Sequence, residues 1–162
     1  MFSPEQLDAA SDVLAACRDA GLMLTTAESC TGGLIAGCLT AVAGSSDVVD
    51  RGFVTYTNAA KSEMLGVPAN LIDQFGAVSE DVARAMAEGA LKSSTAQISV
   101  AVTGIAGPGG GTPDKPVGLV HIACARDGTD TQHERHVFDG DRDAVRAQTV
   151  LAALKLVRGG LG

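Results

Sequence analysis

Residues 22–44 leave this chain few architectures. LMLTTA is short and β-prone, ESCTGG carries two glycines in a tight turn, and LIAGCLTAV runs apolar at helical spacing up to Gly44. Strand, turn and helix in that order make a βα unit. A chain that repeats such units builds a parallel sheet with helices on its faces.

The pattern does recur. Residues 52–56 predict a second strand, which leads to Asn58 as N-cap of a short helix carrying Lys61, and Pro68 opens another helical turn. Ser79 caps a longer helix with Val82, Met86 and Leu91 on its apolar stripe, and QISVAVT supplies a third strand. Ahead of these units, Ser3, Pro4 and Gln6 form a capping box before Leu7, Ala10, Leu14 and Cys17, and Gly21 ends that helix.

The stretch GIAGPGGGTPDKPVG predicts a surface loop, because its prolines lack donors and its glycines favour turns. GLVHIACA and TQHERHVF flank Asp127-Gly128, the signal of a two-residue hairpin, so the last two strands are expected to be antiparallel. Asp141 caps a final helix with Ala147, Val150, Leu151, Leu154 and Val157 on its buried side. The expected fold is a three-layer α/β/α sandwich with a mixed, mostly parallel five-stranded sheet that ends in an antiparallel hairpin. A single domain over residues 1–162 is expected, since no repeat, linker or low-complexity segment interrupts the pattern.

With 162 residues, 46% of them hydrophobic, one core suffices without a metal or disulfide staple. No apolar run approaches the roughly 20 residues of a membrane span, and the opening MFSPEQLDAA has no signal-peptide pattern, so a cytoplasmic protein without membrane association is expected. The four cysteines form no CxxC pair, which suits reduced structural thiols rather than zinc ligands. A net charge of −7, no Lys/Arg run, no tryptophan and Tyr56 as sole tyrosine argue against a nucleic-acid partner. A small anion remains within reach of a few arginines and main-chain N–H groups.

Ligands of open α/β sheets collect beyond the carboxyl ends of the parallel strands. Three polar loops leave those ends here, at residues 28–33, 56–61 and 103–111. Ser29 lies in a strand-to-helix turn that is expected to hold its hydroxyl exposed, with the N–H groups around Thr31, Gly32 and Gly33 directed at an oxyanion. It serves equally well as a helix cap. Lys61 leaves the second strand near the same edge and is able to act as a base if desolvated, or else is a solvated helix lysine. Tyr56 is placed to bridge the two or to hold substrate. His121, His133 and His136 read as core or surface residues. The 103–111 loop resembles a phosphate cradle but is no Walker A motif, because Lys115 is followed by proline. Arg142 and Arg146, on successive turns of one face, either clamp an anion or pair with Asp139, Asp141 or Asp143.

TAESCTGGLIA, GSSDVVDRGFVTYTNAAK, GAVSE, TGIAGPGGG, KPVG and FDGDRDAVR follow one another as they do in the CinA C-terminal domain family, which the chain resembles over nearly its whole length. The resemblance implies hydrolysis of nicotinamide mononucleotide to nicotinate mononucleotide and ammonia. It further implies Ser29 as nucleophile, Lys61 as general base and Tyr56 as their partner. Thr103 and Gly104 would belong to a substrate loop, and Arg142 would meet the phosphate. No cofactor or metal is implied. Family members form homo-oligomers, and some carry an extra N-terminal molybdopterin-binding-like domain that this chain is expected to lack. Three other readings stay open: Cys30 as nucleophile, favoured by the adjacent helix N-terminus; a non-catalytic nucleotide-binding or regulatory module; and an amidase for another amide-bearing nucleotide.

Overall fold

A computed structural model describes residues 1–162. The elements in chain order are α1 (Pro4–Ala20), β1 (Leu24–Glu28), α2 (Leu34–Thr40), a 3-10 turn (Ser45–Asp47), β2 (Val49–Val54), α3 (Asn58–Leu65) and α4 (Ala69–Phe75). There follow α5 (Glu80–Lys92), β3 (Ile98–Gly104), β4 (Leu119–Arg126), β5 (Gln132–Val137) and α6 (Arg142–Gly160).

One five-stranded sheet runs in the order β2-β1-β3-β4-β5. β1 pairs in parallel with β2 and β3, whereas β4 is antiparallel to both β3 and β5. Helices α1, α2 and α6 cover one face, around a core that includes Leu14, Leu24, Ile35, Ile98 and Leu154. Helices α3, α4 and α5 cover the other, where alanines dominate: Ala27, Ala101 and Ala123 of the sheet meet Ala83, Met86 and Ala90 of α5. Small side chains on both surfaces let α5 lie close to the strands. The layering is the three-layer α/β/α sandwich with a terminal hairpin that the pattern predicts. No helix is long and apolar enough to cross a membrane.

Several local expectations are corrected. Thr57, not Asn58, caps α3, accepting from the Ala60 N–H at 3.1 Å. β2 ends at Val54, so residues 55–57 form the turn out of the sheet. α2 stops at Thr40, short of Gly44, which opens the 3-10 turn instead. The β4–β5 connection spans residues 127–131 rather than two: Asp127-Gly128 occupies a turn closed by Thr129 N–H to Arg126 C=O, but pairing resumes only at Gln132. Ala147 is exposed and Leu151 half-buried, because Val145, Thr149, Val150 and Ala153 form the buried stripe of α6.

The histidines form an unexpected structural chain. His133 Nδ1 lies 2.9 Å from Glu80 Oε1, and His133 Nε2 lies 2.8 Å from His121 Nδ1. A carboxylate that accepts at Nδ1 leaves His133 Nε2 as the acceptor for the His121 N–H. Burial pushes the His121 pKa down to about 4, helped by His133 and by the cations of Arg135 and Lys115, with Glu80 opposing. Burial likewise lowers His133, aided by Arg84 and His136 and opposed by Glu80 and Glu134. Folding therefore holds both rings toward the neutral form, while unfolded histidines titrate near 6.5. The unfolded chain binds more protons below that value, so stability is complete above about pH 6.5 and falls as pH drops toward about 4. Urea midpoints between pH 7.5 and 5.5 are expected to decline, with a shallower decline in His121→Phe; equal slopes would contradict this account.

Candidate active site

The three parallel strands end together, and register explains why their loops meet. Glu28 pairs with Val54 on one side and with Val102 on the other, so β1, β2 and β3 release their chains at one edge. β5, antiparallel to β4 and so running in the direction of β1–β3, ends at the same edge, which delivers the start of α6 there as well. Between these loops lies a cavity of about 290 Å3 lined by Ser29, Tyr56, Lys61, Thr103, Gly104 and Arg142, among others.

The turn that carries Ser29 is shaped by its glycines and held by Glu28. Gly32 (φ 58°) and Gly33 (φ 107°) take left-handed conformations in succession, so the backbone reverses directly into α2. Ser29 N–H donates to Val102 C=O at 3.1 Å, tying the residue to the end of β3. Its hydroxyl is not held exposed as expected: Ser29 retains only 8% of its accessible surface. The N–H groups of Ile35 and Ala36 at the start of α2 are occupied by the carboxylate of Glu28, at 2.8 and 3.0 Å. The positive end of α2 therefore serves the chain's own carboxylate.

That arrangement revises the expected donors. The Gly32 N–H donates to the Ser29 carbonyl at 3.1 Å, the Thr31 hydroxyl donates to Glu28 at 2.5 Å, and Thr31, Gly32 and Gly33 are absent from the cavity wall. Free donors lie elsewhere. Ala106 and Gly107 are buried residues of the cavity wall whose N–H groups meet no protein acceptor, and the Cys30 N–H meets no main-chain acceptor. Buried N–H groups are nearly always paired, yet the two in the glycine loop stand unpaired and available to a bound molecule. The sequence signal for them was the loop's composition, which marks a cradle without saying which N–H groups stay free.

Lys61 is the largest fully buried side chain, with 1% of its surface exposed. Its Nζ lies 3.0 Å from Ser29 Oγ, 2.9 Å from the Thr55 carbonyl and 3.3 Å from the Tyr56 carbonyl. An ammonium donates to all three. A neutral amine donates to the two carbonyls and offers its lone pair to the Ser29 O–H, so the site satisfies either form. Burial lowers the Lys61 pKa from its ordinary 10.5, opposed only by the negative charge of a Cys30 thiolate. Cys30 does not carry that charge near neutrality, since desolvation among core residues raises its thiol to about 11. The expected thiol activation by the helix end is thus reversed by burial.

Tyr56 reaches the site in a different way from the expected bridge. Its carbonyl accepts from Lys61, while its phenol, in a residue 58% exposed, accepts from Arg142 Nη2 at 3.1 Å. Lys61 and Ser29 meet without it. Arg142 Nη1 also donates to the Gly107 carbonyl at 2.8 Å, which binds the glycine loop to α6. Arg146 turns instead to the Ser29 turn, donating to the carbonyls of Cys30 and Thr31 at 3.1 and 3.3 Å. Neither arginine pairs with a carboxylate, so the expected alternative of partners at Asp139, Asp141 or Asp143 is not found. Thr103 Oγ1 donates to the Ala77 carbonyl at 2.8 Å, and the residue lines the cavity. At Gly104 a Cβ would come within 2.7 Å of Val120 and 2.9 Å of the Leu119 carbonyl, so glycine is required there for close approach of β4. Asn58, Ala77, Val78, Ile105, Gly109 and Gly110 also line the wall.

The chain that builds this site, a buried amine against a buried hydroxyl beside a glycine loop and an arginine free of counter-charge, is similar to known proteins in sequence and backbone. Residues 6–161 match the family model described as "CinA C-terminal domain". A nicotinamide-nucleotide amidohydrolase, PncC, of Pseudomonas putida is 56% identical over 131 residues, which cover 81% of this chain and 81% of that protein. A CinA-like protein of Citrifermentans bemidjiense is 55% identical over 141 residues, 87% of this chain; the chain spans 34% of that relative's length, about a third. Among solved structures, the competence/damage inducible protein CihA of Agrobacterium tumefaciens shares 51% identity, with a TM-score of 0.95 over 98% of this chain and 97% of that one. ComA of Klebsiella pneumoniae shares 38% identity, with a TM-score of 0.92 over 96% of both chains. Sequence and backbone agree along almost the full length, and the chain belongs to the CinA C-terminal domain family.

Proposed function

We propose that this chain hydrolyses the carboxamide of nicotinamide mononucleotide, giving nicotinate mononucleotide and ammonia, with Ser29 as nucleophile and Lys61 as general base. The observation that carries the reading is the 3.0 Å separation of Lys61 Nζ and Ser29 Oγ in a desolvated setting that disfavours the ammonium. The name and 56% identity of the Pseudomonas putida amidohydrolase support the choice of substrate.

Neutral Lys61 takes the Ser29 proton as Oγ attacks the amide carbon. The negative oxygen of the tetrahedral adduct is met by main-chain donors, for which Cys30 N–H and the free N–H groups of Ala106 and Gly107 are the candidates. The Lys61 ammonium returns the proton to the departing nitrogen, ammonia leaves, and an acyl ester remains on Ser29. Water, deprotonated by Lys61, cleaves that ester and restores the serine. Tyr56 steers Lys61 through its carbonyl and places its phenol with Arg142 at the mouth, and Thr103 and Gly104 shape the wall where substrate sits. Thr31, Gly32 and Gly33 act through the turn they form.

Ammonia release from nicotinamide mononucleotide by the purified protein tests the reading, and binding without turnover would favour a nucleotide-binding module instead. The module reading leaves a buried lysine against a buried serine without purpose. Arg142 has no counter-charge in a chain of net charge −7, which suits a substrate phosphate. A charge-assisted contact contributes about 1.5–3 kcal/mol, so Arg142→Ala is expected to raise KM for the mononucleotide roughly 10- to 100-fold. Turnover of the dephosphorylated nucleoside should change little; an equal loss on both substrates would remove the phosphate role.

A further inference from the structure

Glu28 immediately precedes Ser29, and its side chain is not explained by the chemistry above. It is 1% exposed and lies on the α2 side of the sheet, while Ser29 turns to the α3 side to meet Lys61. Its carboxyl accepts three hydrogen bonds: from the Thr31 hydroxyl at 2.5 Å, the Ile35 N–H at 2.8 Å and the Ala36 N–H at 3.0 Å. All three partners are donors, so both oxygens are used as acceptors. The main chain of Glu28 reaches the other half of the site. Its carbonyl accepts from the Thr55 N–H at 2.9 Å, and the Thr55 carbonyl accepts from Lys61 Nζ at 2.9 Å.

Two ties thus leave one residue. The side chain fixes the turn after Ser29 to the first turn of α2, and the main chain fixes the segment that holds Lys61. A carboxyl so placed also takes the α2 donors that would otherwise compete for an anionic ligand.

We infer that Glu28 is a positioning residue that sets the attack geometry of Ser29 by clamping the 29–33 turn onto the N-terminus of α2. The clamp acts through Ser29 and leaves substrate contacts and the titration of Lys61 alone. This inference rests on the proposed role of Ser29 as nucleophile. Glu28→Gln keeps the size of the side chain but turns an amide NH2 toward one of its donors, so the clamp loosens on one side. Small displacements of a reacting atom are costly, with about 100-fold typical of a 1 Å misplacement.

The expected result for Glu28→Gln is a kcat for nicotinamide mononucleotide lowered about 10- to 100-fold, with KM within twofold and an unchanged midpoint in the pH profile of kcat/KM. Thr31→Val, which deletes one of the three bonds, should show the same kcat-only pattern to a smaller degree, and Thr31→Ser should restore it. A folded Glu28→Gln protein with wild-type kcat overturns the inference. So does a variant whose kcat falls only in proportion to its loss of folded protein, or one in which the pH midpoint moves. Labelling of Ser29 by a serine-directed fluorophosphonate separates this from the function itself. If the wild type labels at Ser29 but releases no ammonia from the mononucleotide, the substrate is wrong; slower labelling of Glu28→Gln then still supports the clamp, and equal labelling rates overturn it.

Discussion

Ser29→Ala is expected to lower kcat for deamidation of nicotinamide mononucleotide by about 10,000-fold or more, about 5.5 kcal/mol of barrier, while leaving KM within a few-fold. The size follows from the role. On the proposed roles, deleting the nucleophile removes the covalent route altogether, whereas the donors of the glycine loop and Arg142 would still hold substrate. Stability should hardly change, because the hydroxyl's one protein partner is Lys61, which retains two carbonyl acceptors. Cys30→Ala separates the adjacent thiol from the hydroxyl. Its sulfur sits in the apolar cluster with its pKa raised to about 11, so the alanine variant should keep most of its turnover and lose some stability through the cavity it leaves. Ammonia assays on the two purified variants decide the matter: activity in Ser29→Ala together with inactivity in Cys30→Ala would transfer the chemistry to sulfur.

Loss of Lys61 should be nearly as severe. Lys61→Ala is expected to reduce kcat about 1,000-fold or more, because Ser29 would then lose its proton to water. Lys61→Arg should fail similarly, since a guanidinium cannot give up its proton near neutrality; a positive charge alone would be preserved by that change, a base would not. The pH profile carries the sign. Burial lowers the Lys61 pKa, so the active, neutral amine gains population as pH rises, and kcat/KM should climb with pH to a plateau whose midpoint lies below the ordinary 10.5. A wild-type profile that falls as pH rises, or one that keeps its midpoint in a residually active Lys61→Ala, would remove the lysine from the proton transfer.

The chain's element types were legible because their signals are local. The capping box at Ser3, the cap at Ser79, the βα turn at residues 28–33 and the antiparallel last strands all stand where the periodicity and caps put them. The misses are of another kind. Thr57 displaces Asn58 as a cap because both can cap and the choice depends on where β2 ends. Ala147 faces solvent because α6 turns its buried stripe by packing on α1 and the sheet, and alanine is tolerated on either side.

The candidate site divides in the same way. Ser29, Lys61 and Thr103 could be named from loops that leave parallel strands and Arg142 from the first turn of the last helix, and the cavity unites them. Glu28 could not be singled out, since a carboxylate at a strand end is ordinarily exposed and only the fold turns it inward to α2. The histidine chain likewise joins β4 and β5 to α5 across residues 80–133 and has no local signature.

By itself the sequence determined which segments are strands and helices, that the first three strands run parallel, and which loops carry reactive groups. These follow from periodicity, capping and crossover handedness, which act over a few residues or one βα unit. Tertiary structure alone decided that the lysine is buried rather than solvated, that it touches the serine without the phenol between them, that the helix end serves Glu28, and that burial raises rather than lowers the cysteine thiol. Each of those depends on desolvation and on distances between segments far apart in the chain, and no local pattern encodes how much water a packed core will exclude.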